Sequence, residues 1–159
     1  MKHEVKVSGI FKEFECSGPA CPDTCCPGWS MQVDPQRLKA YSADPELRNA
    51  TVKGPAGPIM ARRKSDDGCV KFEGGLCGIQ AARGSDAMPD SCHFFPRIPR
   101  SIAGTVVITA ALSCPETARL VLFGDAPLGL EVKDISRLPI ALKTYSPEGI
   151  GPREVESVM

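Results

Sequence analysis

Four cysteines fall within eleven residues, Cys16-Ser-Gly-Pro-Ala-Cys21-Pro-Asp-Thr-Cys25-Cys26, and four more follow at Cys69, Cys77, Cys92 and Cys114. An even count permits a disulfide framework, but two features weigh against one. The N-terminus, Met1-Lys2-His3-Glu4-Val5-Lys6-Val7, is charged and carries no apolar stretch of export-signal length. Cys25 and Cys26 are adjacent, and neighbouring Cα atoms lie about 3.8 Å apart, closer than a disulfide prefers. The chain is therefore read as cytoplasmic, with reduced thiols available to a metal. Pro19, Pro22, Pro27, Gly18 and Gly28 interleave with the first four thiols and favour a loop over a helix. Such a loop can turn its sulfurs inward, and packed thiolates need a cation to relieve their repulsion. Thiolates are soft ligands suited to zinc or to iron–sulfur clusters.

The spacing fits no common template. Two separated C-x2-C knuckles of a zinc ribbon are absent, as is the C-x2-C-x2-C-x3-C run of a two-cluster ferredoxin. Cys21-x3-Cys25 begins the C-x3-C-x2-C pattern of radical S-adenosylmethionine enzymes, but Gly28 stands where the third cysteine belongs.

The 159 residues suffice for one domain, and only 6% are aromatic, while Gly and Pro number 15 each. A core so short of large side chains calls for staples. The expectation is a small, loop-rich α+β domain, metal-stapled, with short helices and few strands. Residues 1–124 form the cysteine-cluster unit, and residues 125–159 are a C-terminal extension, read as the start of a further region. Nineteen basic residues balance nineteen acidic ones, so nothing points to nucleic acid. The densest basic patch, Ala61-Arg62-Arg63-Lys64, runs straight into Ser65-Asp66-Asp67 and reads as a solvated loop. No apolar run approaches a membrane span; that of residues 106–112 is far too short.

Asp34-Pro35 reads as an N-cap and first helical residue, opening a helix to about Tyr41. Asp44-Pro45-Glu46 repeats the signal for a short helix to about Asn49. Residues 53–68, rich in Gly and Pro, read as loop. Residues 76–83 and 87–93 each hold a helical turn or two, the first ending at Gly84. Cys69 and Cys77 bracket a turn or short hairpin that presents both to one point. Residues 105–112, with their Val, Ile and Thr, read as a strand. Ser113-Cys114-Pro115-Glu116 has a capping-box pattern, with Ser113 as N-cap and Cys114 first in a helix that ends at Gly124. A short helix or strand is placed near residues 138–142. His3 sits on a segment expected to fray.

The order of these motifs resembles the flagellin lysine-N-methylase family, within a wider group of zinc- or iron-chelating cysteine-cluster proteins. The matching segments are Phe14-Glu-Cys16, Cys21-Pro-Asp-Thr-Cys25-Cys26-Pro-Gly-Trp29, Cys69-Val-Lys-Phe72, Gly75-Leu-Cys77-Gly-Ile79, Cys92-His-Phe-Phe95-Pro96-Arg97 and Leu112-Ser-Cys114-Pro115-Glu116-Thr-Ala118-Arg119. They span roughly residues 11 to 123 in the family's order. Phe95 stands where the family usually has Tyr. The resemblance implies an iron–sulfur cluster, with zinc as the alternative, held by Cys16, Cys21, Cys25, Cys26, Cys69, Cys77, Cys92 and Cys114. It also implies methyl transfer from S-adenosylmethionine to lysines of flagellin or another protein substrate. Members read as methylases continue well beyond residue 159.

No Gly-rich donor site of the dinucleotide type is found, because Cys77 claims Gly74-Gly75-Leu-Cys77-Gly78 for metal. With His3 and His93 the only histidines, no Ser/His/Asp triad is supportable. His93 is a packed or solvated neighbour of Cys92, or a ligand beside it. Trp29 packs over the cysteine loop or meets substrate. Arg97 balances cluster charge or forms a surface ion pair. Asp23 and Glu116 are explained by turn and capping roles. Three functions remain open: a methylase-related cluster protein, a non-catalytic chelating or partner-binding module, and an electron carrier.

Overall fold

The computed structural model describes residues 3–138 and the strand Lys143–Tyr145. It is a mixed α+β fold built on one five-stranded sheet, with two two-stranded hairpins beside it. β1 (His3–Ser8) places Val5 and Val7 on one face, both buried, as the two-residue period of a strand requires. β6 (Arg97–Ile102) and β7 (Thr105–Ala110) form a hairpin, and β8 (Leu130–Ile135) and β9 (Lys143–Tyr145) complete the order β8-β1-β7-β6-β9. β1 runs parallel to β7, with Lys6 opposite Val107 and Val7 opposite Ile108. It runs antiparallel to β8 along its whole length, from His3–Ile135 to Ser8–Leu130. His3 thus belongs to a paired strand rather than a frayed end: β1 has a neighbour on both sides. The region from 125 onward contributes β8 and β9 to the sheet. The element expected near residues 138–142 falls almost wholly outside the described residues.

Everything between β1 and β6 is one long excursion from the sheet. It carries α1 (Pro35–Ala43), the hairpin of β2 (Thr51–Gly54) and β3 (Gly57–Met60), and the smaller hairpin of β4 (Phe72–Glu73) and β5 (Leu76–Cys77). α2 (Gly78–Arg83) and α3 (Asp90–Phe94) follow. Its core is Met31, Val33, Tyr41, Leu47, Ala50, Met60, Cys69, Ile79 and Met88, with Cys26, Trp29, Cys77 and Cys92 packed against it. The sheet has a separate small cluster of Val5, Val7 and Ile108, with Phe11 and Ile135 against it. After β7 the chain enters α4 (Pro115–Phe123). Among the described residues no helix is long and apolar enough to cross a membrane.

Three expectations need correction. Residues 45–49 form consecutive turns, not a helix: Asp44 accepts the Glu46 amide on its side chain and the Leu47 and Arg48 amides on its carbonyl. These bonds satisfy one turn, and the chain then leaves for β2. Within 53–68, Gly54-Pro-Ala-Gly57 is the tip of a hairpin rather than open loop. Cross-strand pairing of Val52 with Ile59 outweighs the Gly and Pro content. In α4 the N-cap is Cys114, not Ser113, and Pro115 is the first helical residue. Proline favours that first position because its missing N–H would have no partner there anyway. Glu116 pairs with Arg119 instead of reaching back to the cap.

Asp34 does more than cap α1. One carboxylate oxygen accepts the Arg37 amide at 2.9 Å, and the other accepts the Asp90 amide at 3.1 Å. Asp90 in turn pairs with Arg137 at 2.6 Å. A single side chain therefore fixes the starts of α1 and α3 relative to each other. Replacing it with Ala removes a cap and leaves a second amide unpaired. Asp34→Ala is expected to lower stability by about 1–3 kcal/mol in urea titration, at unchanged secondary structure. At the β6–β7 turn, Ala103 and Gly104 both have positive φ, 48° and 78°, as a tight two-residue hairpin demands. Ala pays for that conformation where Gly would not. Ala103→Gly is expected to raise stability by about 0.5–1 kcal/mol in the same measurement.

Candidate functional site

All eight cysteines line a single cavity of about 770 Å³. They arrive there from four parts of the chain. Cys16, Cys21, Cys25 and Cys26 come from the Pro- and Gly-rich stretch between β1 and α1, where residues 21–30 have no regular structure. Cys69 and Cys77 flank the β4 side and end β5, Cys92 lies in α3, and Cys114 caps α4. All eight thiols are free. Cys69 and Cys114 are buried, Cys16 and Cys25 exposed, and the others intermediate.

Local bonds explain how each stretch is held. Asp23 accepts the Thr24 amide on its side chain, and the Thr24 hydroxyl accepts the Cys26 amide at 3.2 Å. The Trp29 indole N–H donates to the Cys25 carbonyl at 2.7 Å, closing the loop, and the ring sits 6.3 Å from that of Phe95. Trp29 is thus a brace of the cysteine loop. Cys69 is positioned by Arg63, whose Nη1 donates to the carbonyls of Cys69 and Phe72 at 2.8 and 2.6 Å. Asp66 holds the same guanidinium, and Arg62 pairs with Asp67. Arg63 is therefore a structural clamp, not part of a merely solvated patch. Sequence reading missed it because both carbonyls lie six and nine residues away with no motif to mark them. The β4–β5 turn is the short hairpin expected around Cys69 and Cys77, with Gly74 and Gly75 both at positive φ. His93 is a packed neighbour of Cys92. Its Nδ1 lies 3.0 Å from the Ser85 carbonyl, and its ring meets Phe94 edge-on at 5.0 Å.

Electrostatics divides the thiols. The Cys26 thiol hydrogen-bonds to Cys25, and this holds the Cys25 pKa down at about 7. Cys26, as the partner that keeps its proton, is pushed up, and burial adds to the shift. Burial raises Cys69, and the charge of Cys77 adds to it. Burial also pushes Cys92 up to about 12, with Cys77, Cys69 and Cys25 contributing repulsion. Cys77 bears on Cys69 and Cys92, and Cys69 bears on Cys26 and Cys92, so these thiols lie near enough to influence one another. Tyr41 is raised by burial first, with the charges of Cys92 and Cys77 adding. Its hydroxyl donates to the Ala87 carbonyl at 2.7 Å.

Among the described residues no three His, Cys, Asp or Glu side chains are arranged to hold one metal ion. The thiols share a cavity wall without converging on one point. Two properties bear on what this wall can hold. The donors are soft sulfur throughout, the chemistry that iron–sulfur clusters and zinc require. The cavity is also far larger than a single ion. Arg97 lines the same cavity, with its guanidinium carbon 4.6 Å from the centre of the Phe11 ring and 5.6 Å from that of Phe14. Burial lowers its pKa. The surface ion pair considered for it is not present among the described residues; two rings stand in its place.

The pKa spread gives a direct test on the reduced, metal-stripped chain. Iodoacetamide at pH 7 is expected to label Cys25 more than about a hundredfold faster than Cys92, because only the thiolate reacts. Labelling at Cys25 should rise as pH passes through 7, as read by peptide mass mapping.

The flagellar biosynthetic protein FliU of Salmonella muenchen is 31% identical over 144 residues, covering 83% of this chain and 85% of FliU. Lysine-N-methylases of Salmonella typhimurium and Salmonella choleraesuis are each 29% identical over 133 residues, or 77% of this chain. That stretch is 33% of each lysine-N-methylase, so the chain matches about a third of their length. No family model and no solved structure matches.

Proposed function

Because the chain belongs to the family of FliU and the lysine-N-methylases, we propose that it is an iron–sulfur cysteine-cluster protein acting in methylation of flagellin lysines. The observation that carries the cluster reading is the single cavity lined by all eight cysteines. Cys25, Cys26, Cys69, Cys77 and Cys92, which lie near enough to influence one another, are the first candidates to hold the cluster, with Cys16, Cys21 and Cys114 round the same wall. When bound, the cluster would act as a cross-link between loops distant in sequence, in a mainly structural role. The residues of the chain keep the thiols in reach: Arg63 fixes the Cys69 turn, Trp29 closes the Cys25 loop, and Asp34 anchors the start of α3, which carries Cys92. S-adenosylmethionine would supply the methyl group, and no residue of this chain is assigned to it.

The wall of eight thiols also suits a second reading, in which the chain is a chelating or partner-binding module without methyl transfer of its own. Two measurements separate these. Anaerobic purification should yield brown protein with iron and acid-labile sulfide, and Cys25→Ser or Cys92→Ser should lose a large part of both. Colourless protein carrying zinc would end the iron–sulfur reading. Incubation with flagellin and S-adenosylmethionine should add methyl mass to lysine peptides if the chain is a methylase; loaded protein that adds none leaves the module reading.

A further inference from the structure

Arg97 is the first residue of β6, and five other arginines of the described chain are held by acidic side chains where it is not. Arg62, Arg63, Arg83, Arg119 and Arg137 each pair with a carboxylate. Arg97 instead lies over Phe11 and near Phe14, half-buried, on the wall that carries the eight thiols. Among the described residues neither an ion pair nor a hydrogen bond holds its guanidinium. Ring faces offset only part of the desolvation cost of a buried cation. The remainder calls for an anion, and the cavity in front of Arg97 is the one lined by thiols. Phe14 also stands two residues before Cys16, so the rings that orient the cation belong to the segment that brings the first thiol.

We propose that Arg97 is the fixed counter-cation of the thiolate-held cluster, oriented by Phe11 and Phe14, and that it raises the cluster's reduction potential. This rests on the iron–sulfur reading above. Thiolate-ligated clusters gain negative charge when they take up an electron, and cluster charge and surroundings set their potential. A cation held in a poorly solvated wall favours the more negative, reduced form, and bulk salt screens it little. Arg97 is a positioning residue that touches no reacting atom, so activity is not its readout.

The test uses the full chain reconstituted anaerobically with ferrous iron and sulfide, then titrated with dithionite as the electron donor while the spectrum is followed. Arg97→Gln is expected to shift the midpoint to a more negative potential at the iron content of the unaltered protein. Arg97→Lys, which keeps the charge but not the planar stack, should fall between the two. A loaded Arg97→Gln protein with an unchanged midpoint overturns the proposal while leaving the cluster reading intact. If Arg97→Gln does not fold or load, Phe11→Leu decides: it removes the nearer ring beneath the guanidinium while keeping the charge, and an unchanged midpoint overturns the proposal where a fall supports it. Unaltered protein that takes up no iron and sulfide overturns the cluster reading, and the proposal with it.

Discussion

The pairing of β1 with β7 and β8 is the constraint on which the remaining geometry depends. β1 begins the described chain and β7 lies about a hundred residues later, yet their backbones pair in parallel between Lys6 and Val107. That contact closes the whole excursion from Gly9 to Pro96. Closing so long a loop costs conformational entropy, although the cost grows only slowly with length. Once the loop is closed, Cys16, which leaves the sheet just after β1, and Cys114, which follows β7, are returned to the same end of the sheet. Val5, Val7 and Ile108 seal the join with buried apolar surface.

Inside the excursion a second core forms with Tyr41 as the one aromatic among its buried residues. Met31, Met60 and Met88 fill much of it, unbranched residues that adapt to irregular gaps left by loops. The thiols sit at the boundary between this core and the cavity: Cys69 belongs to the core, and Cys26, Cys77 and Cys92 lean on it. Their surroundings raise the pKa of Cys69 and Cys92 through burial, while Cys25, on the exposed side, is lowered by its neighbour. The wall is thus graded from a reactive rim to an inert interior. Its cross-braces are polar and specific: Asp34 to Asp90, Asp90 to Arg137, Arg63 to two carbonyls, Tyr41 to Ala87. All but the Arg63 clamp join segments more than forty residues apart, and together they hold the loops that carry sulfur.

Much of this was legible in the order of residues. Asp34-Pro35 marked the start of α1, Gly84 the end of α2, and the Val, Ile and Thr run marked β7. Those signals are local, written in capping chemistry and side-chain branching. The cysteine spacing and the segments shared with the lysine-N-methylase family pointed to the right relatives. The failures were equally particular. Glycines and prolines at 54–57 hid a hairpin whose stability comes from the partner strand. Ser113-x-x-Glu116 mimics a capping box, but the preference of Pro115 for the first helical position moves the cap to Cys114. A short charged strand such as β1 leaves no local mark, because it is secured only by the neighbours it acquires.

What the sequence alone determined is chemistry and local form: eight soft donors, loops stiffened by proline, and helix starts set by caps. Tertiary structure alone decided which of these meet. That Arg97 rests on Phe11 and Phe14, and that Cys16 and Cys114 reach the same cavity, follow from sheet pairing between β1 and β7. Backbone hydrogen bonds between strands carry no residue-specific mark, so no spacing rule reveals which distant strand a given segment will join.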